Sequence, residues 1–223
     1  MLTVSADSVS ELERKLFVAA GAELHTGQWE DAGGVALDPA AATPVLAQCD
    51  ILDGLAKELQ VVDTVAFTPM GDHRMSAGFV TSVGALSRVI TRHLGADVMR
   101  GQRVAIRGGG ALAACALAVA VEFSAADIFL IAPPTGGPGS AIAAAHRLGI
   151  DVTTIMTGSP QAAESPGAVT IYAENELAVQ SPTGTVTGME VLVARVVDQL
   201  RLFTGANPDE ESLLATALAA VDN

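Results

Sequence analysis

One stretch of this chain constrains its fold more than any other, because a short apolar run, three consecutive glycines and an alanine-rich run follow one another directly. Residues 103–106 predict a buried strand and residues 111–123 predict a helix. A second apolar run at 128–131 predicts another strand. The turn before the helix consists of Gly108, Gly109 and Gly110. A strand, glycine turn, helix and strand in this order predict a dinucleotide-binding unit, in which a pyrophosphate sits on the helix N-terminus.

Two features of this stretch depart from the usual pattern. Arg107 stands where the tight turn normally has glycine, and no acidic residue ends the second strand to hold a ribose hydroxyl. Arg107 is interpreted either as a phosphate ligand or as a solvated arginine. The predicted cofactor-binding residues are Arg107, Gly108, Gly109, Gly110 and Ala111.

Composition excludes several classes of protein. The 223 residues are 50% hydrophobic, which is enough for the core of one large domain or two small ones. A formal net charge of −13 argues against nucleic acid and against anionic membrane surfaces as partners. Cys49 and Cys115 lie far apart without paired histidines, so neither a disulfide framework nor a metal site is predicted. No segment resembles a signal peptide or a membrane span, and a cytoplasmic protein is expected.

The remaining pattern alternates short strands and helices and predicts an α/β fold. Ser8 and Glu11 predict a capping box at the start of a helix over 9–20. The other predicted helices cover residues 45–58, 82–94, 140–148 and 184–204. The other predicted strands cover residues 1–4, 34–37, 61–67, 75–79, 150–155 and 168–172.

Three segments, taken in order, resemble the shikimate dehydrogenase family, which includes quinate dehydrogenases. Residues 55–65 (Leu-Ala-Lys-Glu-Leu-Gln-Val-Val-Asp-Thr-Val) are similar to the family's run ending in Val-Asn-Thr-Val. Residues 78–84 (Gly-Phe-Val-Thr-Ser-Val-Gly) are similar to its Gly-Tyr-Asn-Thr-Asp-x-x-Gly segment. Residues 188–205 (Gly-Met-Glu-Val-Leu-Val-Ala-Arg-Val-Val-Asp-Gln-Leu-Arg-Leu-Phe-Thr-Gly) are similar to its C-terminal helix.

The resemblance implies a two-domain organisation and an oxidoreductase family of aromatic amino acid biosynthesis that uses NADP or NAD. An N-terminally trimmed α/β substrate-type domain would cover residues 1–100 and receive the C-terminal helix, residues 184–223. A Rossmann-like NAD(P)-binding-type domain would cover residues 101–183. The substrate-site equivalents are Asp63, Thr64, Val80, Thr81, Ser82 and Arg195.

The chain departs from the family pattern at the positions of the family's catalytic, substrate-binding and NADP-selecting residues. The segment that carries the catalytic lysine becomes Val-Ala-Leu-Asp-Pro-Ala-Ala-Ala at residues 35–42, and the catalytic aspartate becomes Ser82. Three other family positions change: Asn to Val80, Asn to Asp63 and the substrate-binding Gln to Arg195. The NADP-selecting Asn-Arg-Thr becomes Ala-Pro-Pro-Thr at residues 132–135. No counterpart is identified for the Ser-x-Ser segment that would hold the substrate carboxylate.

These departures predict a shikimate dehydrogenase-like protein without ordinary shikimate dehydrogenase activity and without catalytic residues of the family type, acting as a ligand-binding or regulatory relative. Binding of NAD or NADP is expected to be weak or absent. Arg107 and Arg195 are predicted to recognise a small anionic ligand in the cleft between the domains. Whether the protein forms a homodimer is left open. The alternative is an active NAD(P)-dependent oxidoreductase with displaced catalytic groups, in which Asp63 would be the first candidate for the base.

Overall fold

The chain folds into two compact units in a computed structural model that describes residues 2–6, 8–25, 29–39, 43–133, 135–163 and 167–221. Unit 1 comprises residues 1–57, 61–81 and 192–223, and unit 2 comprises residues 58–60 and 82–191. The helix predicted over 82–94 joins unit 2, whereas the sequence pattern set the domain boundary near residue 100. Each unit contains one six-stranded sheet.

Unit 1 is built on a mixed sheet. Its strands are β1 (Thr3–Ser5), β2 (Glu23–His25), β3 (Gly34–Ala36), β4 (Ile51–Leu52), β5 (Thr64–Met70) and β6 (His73–Phe79). The spatial order is β2-β1-β3-β5-β6-β4. β1 runs parallel to β2 and β3, and β5 runs antiparallel to β3 and β6, so the strands predicted over 61–67 and 75–79 form an antiparallel pair. Two helices lie between these strands in the sequence: α1 (Glu11–Ala19) follows β1, and α2 (Gly54–Leu59) follows β4.

Unit 2 is built on a mainly parallel sheet. Its strands are β7 (Arg103–Arg107), β8 (Asp127–Ala132), β9 (Thr153–Met156), β10 (Val169–Tyr172), β11 (Ala178–Ser181) and β12 (Gly184–Val186). Its helices are α3 (Thr81–Leu94), α4 (Ala111–Glu122), α5 (Ala141–Leu148) and α6 (Pro160–Ala163). The order β9-β8-β7-β10 is parallel throughout, and the antiparallel strands β11 and β12 extend the sheet beyond β10.

The strand, glycine turn, helix and strand predicted from sequence are present. β7 and β8 are adjacent and parallel, with Val104 opposite Ile128, and α4 connects them. Residues 113–120 of α4 are all buried, and α4 packs against α5. The small alanine side chains let this helix be covered on nearly every side, which explains why its apolar residues are not restricted to one stripe.

The C-terminal helices are α7 (Gly188–Thr204) and α8 (Glu210–Val221), and from Leu192 onward they belong to unit 1. The prediction that the last long helix packs on the first domain is therefore confirmed for this part. The predicted start at residue 184 is wrong, because residues 184–186 form β12. Thr187 and Glu190 then form a reciprocal capping box, in which Thr187 N–H donates to Glu190 Oε2 at 2.8 Å and Glu190 N–H donates to Thr187 Oγ1 at 3.3 Å.

Two other sequence predictions are wrong in detail. The helix predicted over 45–58 is replaced by a 3₁₀ turn (Thr43–Gln48), the edge strand β4 and α2, because Ile51 and Leu52 pair with β6 and the Asp53 carboxylate caps α2. The helix predicted over 9–20 begins at Glu11. Its N-cap is Ser10, which accepts from Glu13 N–H at 3.2 Å, whereas Ser8 Oγ accepts from Asp38 N–H.

Close packing of α7 on β3 generates a stability prediction. A Cβ at Gly34 would overlap the Phe203 ring, so we expect Gly34→Ala to lower the free energy of unfolding by about 1–3 kcal/mol. The matched control is Gly84→Ala in α3, where a Cβ meets open space and helix propensity predicts a gain of up to about 1 kcal/mol. Urea unfolding measures both. Equal effects of the two substitutions would contradict the close contact, and Phe203→Leu in the Gly34→Ala background is expected to recover part of the loss.

Candidate functional site

The glycine turn of unit 2 lies at the point in its sheet where the strand order reverses. In chain order the four parallel strands are β7, β8, β9 and β10, and in space they are arranged third, second, first, fourth. In open parallel sheets of this order, ligands bind beyond the carboxyl ends of the strands at the reversal, here between β7 and β10. The turn formed by residues 108–110 follows β7 at this edge.

The three glycines of the turn have different roles. Gly108 has φ +132°, and a Cβ there would collide with the Ala173 carbonyl oxygen; a Cβ at Gly109 would collide with the Thr135 side chain. Gly110, the N-cap of α4, faces open space and makes no side-chain capping bond. Gly108 and Gly109 are therefore explained by internal packing, and only Gly110 leaves room for a ligand. The first turn of α4, which begins at Ala111, supplies backbone N–H groups that suit an anion.

The side chains around this turn provide few groups that could bind the parts of a dinucleotide other than its pyrophosphate. Arg107 Nη2 donates to the Ala162 carbonyl at 2.8 Å, which directs that arm of the guanidinium to α6. Ala132 ends β8, Pro133 and Thr135 follow it, and these residues supply neither a carboxylate for a ribose hydroxyl nor a cation for a 2′-phosphate. The exposed carboxylate Glu174 follows β10 at the same edge. These described residues fit a pyrophosphate at the backbone and do not fit the adenosine end.

The substrate-site equivalents in unit 1 form a buried polar cluster around Asp63. Asp63 is fully buried, and its Oδ1 accepts from Thr64 Oγ1 at 2.8 Å, from Thr81 N–H at 2.7 Å and from Thr81 Oγ1 at 2.7 Å. The Thr64 and Thr81 hydroxyls lie 2.9 Å apart. The structure thus brings together three predicted residues, and it places them in a network that holds the Asp63 carboxylate rigidly.

Gln199 completes this cluster and was missed in the sequence. Its Nε2 donates to the Asp63 carbonyl at 3.1 Å and to Thr64 Oγ1 at 3.2 Å, and its side chain is fully buried. The available signal was a polar residue within the apolar stripe of α7, between the buried Val196 and Leu200. A glutamine in such a stripe predicts a buried hydrogen-bonding partner.

The other two equivalents at the end of β6, Val80 and Ser82, are also buried. Val80 is 5% exposed and presents only an apolar side chain where the family has asparagine. Ser82 is 0% exposed and lies in the first turn of α3. A hydroxyl in this position donates or accepts a hydrogen bond and carries no charge at neutral pH.

Arg195, the last predicted residue, forms a buried ion pair with Glu13, which was also missed. Arg195 Nη2 lies 2.6 Å from Glu13 Oε2, and the two side chains are only 11% and 2% exposed. Burial raises the pKa of the Glu13 carboxyl above its ordinary value, and Arg195 opposes this only in part. Burial lowers the pKa of Arg195, but the Glu13 and Asp63 carboxylates outweigh burial and raise it, so the guanidinium stays charged.

Two further carboxyl groups of unit 1 act on the Glu13–Arg195 pair. Asp63 and Asp38 act electrostatically on both members of the Glu13–Arg195 pair. Among the polar atoms of the described residues, Glu13 Oε1, Arg195 Nε and Gln199 Oε1 are buried without a hydrogen-bond partner. The pair is consequently monodentate, although arginine can bind a carboxylate through two bonds.

A Ser-x-Ser segment, for which the sequence comparison identified no counterpart, is present between β1 and α1. Ser8, Val9 and Ser10 stand directly before α1, and Glu13 follows Ser10 by three residues as the first buried side chain of that helix. Both hydroxyls accept bonds from backbone N–H groups, Ser8 from Asp38 and Ser10 from Glu13. In the segment that resembles the family's catalytic-lysine segment, Ala40 and Ala41 lie outside the described residues.

We expect the Glu13–Arg195 pair to show strong coupling in a double-mutant cycle. Glu13→Leu alone should lower the free energy of unfolding by about 3–5 kcal/mol, because it leaves the buried guanidinium without its partner. The double variant Glu13→Leu, Arg195→Met should be far closer to the wild type, since it removes both charges and keeps apolar volume. Urea unfolding of the two single variants and the double variant measures the coupling. Additive losses would contradict a buried, interacting pair.

The raised pKa of Glu13 also predicts the sign of a pH effect. The folded state binds the Glu13 proton more tightly than the unfolded state, so this contribution is fully present below the ordinary value of 4.5 and is lost as pH rises through the folded-state pKa. We expect the wild type to lose stability relative to Glu13→Gln over this range. The measurement is the difference in unfolding free energy between the two proteins at a series of pH values. A difference that changes in the opposite direction would mean that Arg195 outweighs burial.

The described residues contain neither a metal site nor a membrane span. No group of three or more His, Cys, Asp or Glu side chains in this part of the chain has the geometry of a metal site. Within the same residues, every helix is too short or too polar to cross a membrane.

Solved structures with the same fold are shikimate and quinate dehydrogenases. Quinate dehydrogenase from Corynebacterium glutamicum in complex with NAD superimposes with a TM-score of 0.73 at 14% identity, covering 98% of each chain. Shikimate 5-dehydrogenase from Thermus thermophilus in complex with NADP(H) and shikimate has a TM-score of 0.70 at 17% identity, covering 99% of this chain and 100% of the other.

Shikimate dehydrogenase from Mycobacterium tuberculosis has a TM-score of 0.68 at 15% identity, covering 97% of this chain and 98% of the other. No protein-family model matches the sequence, and no curated protein is significantly similar to it. The strand order of both units and the coverage of nearly the whole chain agree with the resemblance in sequence. The chain therefore has the fold of the shikimate and quinate dehydrogenases.

Proposed function

We propose that this chain is a shikimate dehydrogenase-like protein that lacks ordinary shikimate dehydrogenase activity and acts as a ligand-binding or regulatory relative. The observation that carries the proposal is the buried ion pair of Arg195 with Glu13. Arg195 stands where the resemblance places a substrate-binding glutamine. Its guanidinium is already paired at 2.6 Å, and the Asp63 and Asp38 carboxylates add negative charge nearby. Shikimate and quinate are carboxylates, and such surroundings oppose their binding.

The groups that handle the proton provide a second argument. Oxidation of a secondary alcohol by hydride transfer requires a group that takes the hydroxyl proton and stabilises the developing alkoxide. The resemblance places the family's lysine near Ala41 and its aspartate at Ser82, and neither residue supplies such a group. Asp63 could be the substitute base, but its Oδ1 already accepts three hydrogen bonds inside unit 1.

The edge of the unit 2 sheet at the glycine turn supports the proposal that a nicotinamide cofactor binds weakly. A nicotinamide dinucleotide, when bound, would accept or donate the hydride. Gly110 and the first turn of α4 would hold its pyrophosphate through backbone N–H groups. Ala132, Pro133 and Thr135 would not select a ribose hydroxyl or a 2′-phosphate. The anionic ligand predicted for Arg107 and Arg195 stays a prediction, because both guanidinium groups have internal partners in the structure.

A second candidate function is an active NAD(P)-dependent oxidoreductase of the shikimate or quinate type with displaced catalytic groups. The architecture of the glycine turn favours it, because Gly110 leaves open space at the N-terminus of a long helix. The presence of Ser8 and Ser10 before α1 also favours it. In this alternative the proton would be taken by a residue outside the family pattern.

We expect the purified protein not to oxidise shikimate or quinate with NAD or NADP at a rate typical of enzymes. Loss of one positioned acid-base group costs roughly 100- to 10,000-fold in rate, and both family groups are replaced here. The measurement is formation of reduced cofactor, with an established shikimate dehydrogenase as positive control. Robust turnover would contradict the proposal. In that event, a loss of turnover in Asp63→Asn, with Ser82→Ala still active, would identify Asp63 as the base.

We further expect the dissociation constant for NADPH to lie above the low-micromolar range at moderate salt. The reason is the absence of a cationic clamp among residues 132, 133 and 135, together with the exposed carboxylate of Glu174 at the same edge of the sheet. Calorimetric titration with NADPH, NADH, NADP and NAD measures this independently of turnover. Tight binding of NADPH alone would show that a basic group elsewhere contacts the 2′-phosphate, and Arg107→Ala would then test whether Arg107 is that group.

A further inference from the structure

A cleft within unit 1 contains none of the residues of the Asp63 cluster, and only Val65 of its lining belongs to a segment that resembles the dehydrogenase family. It has a volume of about 470 Å³ and lies against one face of the β5–β6 hairpin, where Val65, Phe67, Arg74 and Ser76 line it. Cross-strand partners and alternate residues along a strand share a face of a sheet. Thr64, which belongs to the Asp63 cluster, therefore points to the opposite face of β5. The cleft is a separate feature of unit 1.

Two 3₁₀ turns form the walls of the cleft, and hydrogen bonds attach both walls to β6. The first wall contains Trp29 in the turn Trp29–Asp31, and Arg74 Nη2 donates to the Ala32 carbonyl at 2.6 Å just beyond it. The second wall follows the turn Thr43–Gln48. There Ser76 N–H donates to Asp50 Oδ2 at 2.7 Å, and Asp50 N–H donates to Ser76 Oγ at 3.0 Å. These bonds fix the position of both walls relative to β6.

The lining has an apolar floor and a polar rim. Val65 is buried at the base, and the Trp29 and Phe67 rings are half-buried. The rim carries exposed charged groups, among them Asp50. A concave site of several hundred Å³, with aromatic walls and a few placed polar groups, is typical of small-molecule sites.

The charges on the rim select the class of ligand. Arg74 stacks on the Phe67 ring with its guanidinium carbon 4.3 Å from the ring centroid, and the same guanidinium donates to Ala32, so its charge is already engaged. Asp50, Asp72 and His73 also stand on the rim, so two carboxyl groups face one imidazole there. Hydrogen bonds from Ser76 lower the pKa of Asp50 and keep it a carboxylate in a fixed orientation. The chain as a whole has a formal net charge of −13, which attracts cations.

We propose that this cleft of unit 1 binds a small aromatic amine in its cationic form, with the ring beside Trp29 and the ammonium group at Asp50. An aromatic wall and a fixed carboxylate provide the stacking surface and the charged acceptor that such a ligand requires. The proposal does not depend on the presence or absence of dehydrogenase activity. It concerns a different face of the sheet from the Asp63 cluster.

The chain carries two built-in reporters for this site. Trp29 is the only tryptophan of the chain, so its emission can be excited selectively and reports on the cleft. Cys49 also lines the cleft and is half-buried, whereas Cys115 is fully buried. Burial raises the pKa of the Cys49 thiol, which slows its alkylation.

The experiment compares three probes of equal ring size on the full chain at mildly alkaline pH, where histidines are neutral. The probes are 2-phenylethylamine, 2-phenylethanol and 3-phenylpropionate. We expect the amine to change Trp29 emission saturably and to slow alkylation of Cys49. The alcohol and the carboxylate should bind at least about tenfold more weakly, because they lack the charge-assisted bond to Asp50.

Asp50→Asn tests the carboxylate with its shape and its acceptor for Ser76 retained. We expect it to weaken binding of the amine by about tenfold. The matched control is Asp97→Asn, which removes an exposed carboxylate of unit 2 and should leave binding unchanged. Circular dichroism confirms that both variants fold. The proposal is overturned if the amine produces no saturable change and no protection of Cys49 in the wild type, if the carboxylate probe binds as tightly as the amine, or if Asp50→Asn binds like the wild type.

Discussion

Asp63 is the residue on which the arrangement of unit 1 depends. Its backbone N–H donates to Phe79 at the end of β6, and its carbonyl accepts from Leu37 after β3 and from Gln199 of α7. Its carboxylate accepts from Thr64 and Thr81. One buried residue thus joins β3, β5, β6 and α7. A buried carboxyl group in this position is tolerated because these hydrogen bonds replace its lost hydration.

The Glu13–Arg195 pair adds a second buried polar contact between α1 and α7. The pair brings little net stability, because burying both charges costs about as much as their attraction returns, yet removing one member is expensive. The pair also carries the proposal that the chain lacks ordinary shikimate dehydrogenase activity. It places a neutralised arginine, with further carboxylates acting on it, at the position that the resemblance assigns to a substrate ligand. The same helix in this fold can carry a binding residue or, as here, an internal ion pair.

Unit 2 has the backbone features that its glycine turn predicts. The order β9-β8-β7-β10 and the open N-terminus of α4 provide the backbone features of a pyrophosphate site. The side chains that would hold the adenosine end are missing from the described part of the loop after β8. Backbone geometry is a property of the fold and persists through extensive sequence change, whereas side chains at a site change one residue at a time. Fold and function therefore rest on different residues of this chain.

The sequence by itself determined the elements whose signal is local. The glycines between residues 103–106 and the alanine-rich helix specified a parallel βαβ unit, and the apolar stripe of α7 specified a helix that needs a partner. The helix predicted over 45–58 failed because pairing of Ile51 and Leu52 with β6 is a contact between distant parts of the chain. Periodicity cannot detect such pairing. The same limit applies to the capping of α1, where Ser8 is drawn away by Asp38.

At the candidate site, sequence comparison identified Asp63, Thr64, Thr81 and Arg195, and the tertiary structure decided what they do. Glu13 and Gln199 become relevant only when α1 and α7 place them against Arg195 and Asp63, 182 and 136 residues apart in the chain. The cleft beside Trp29 likewise combines two 3₁₀ turns with one face of a hairpin. Charge state, hydrogen-bond satisfaction and cavity shape arise from groups brought together by folding, so a sequence names the groups and only the packed structure decides their chemistry.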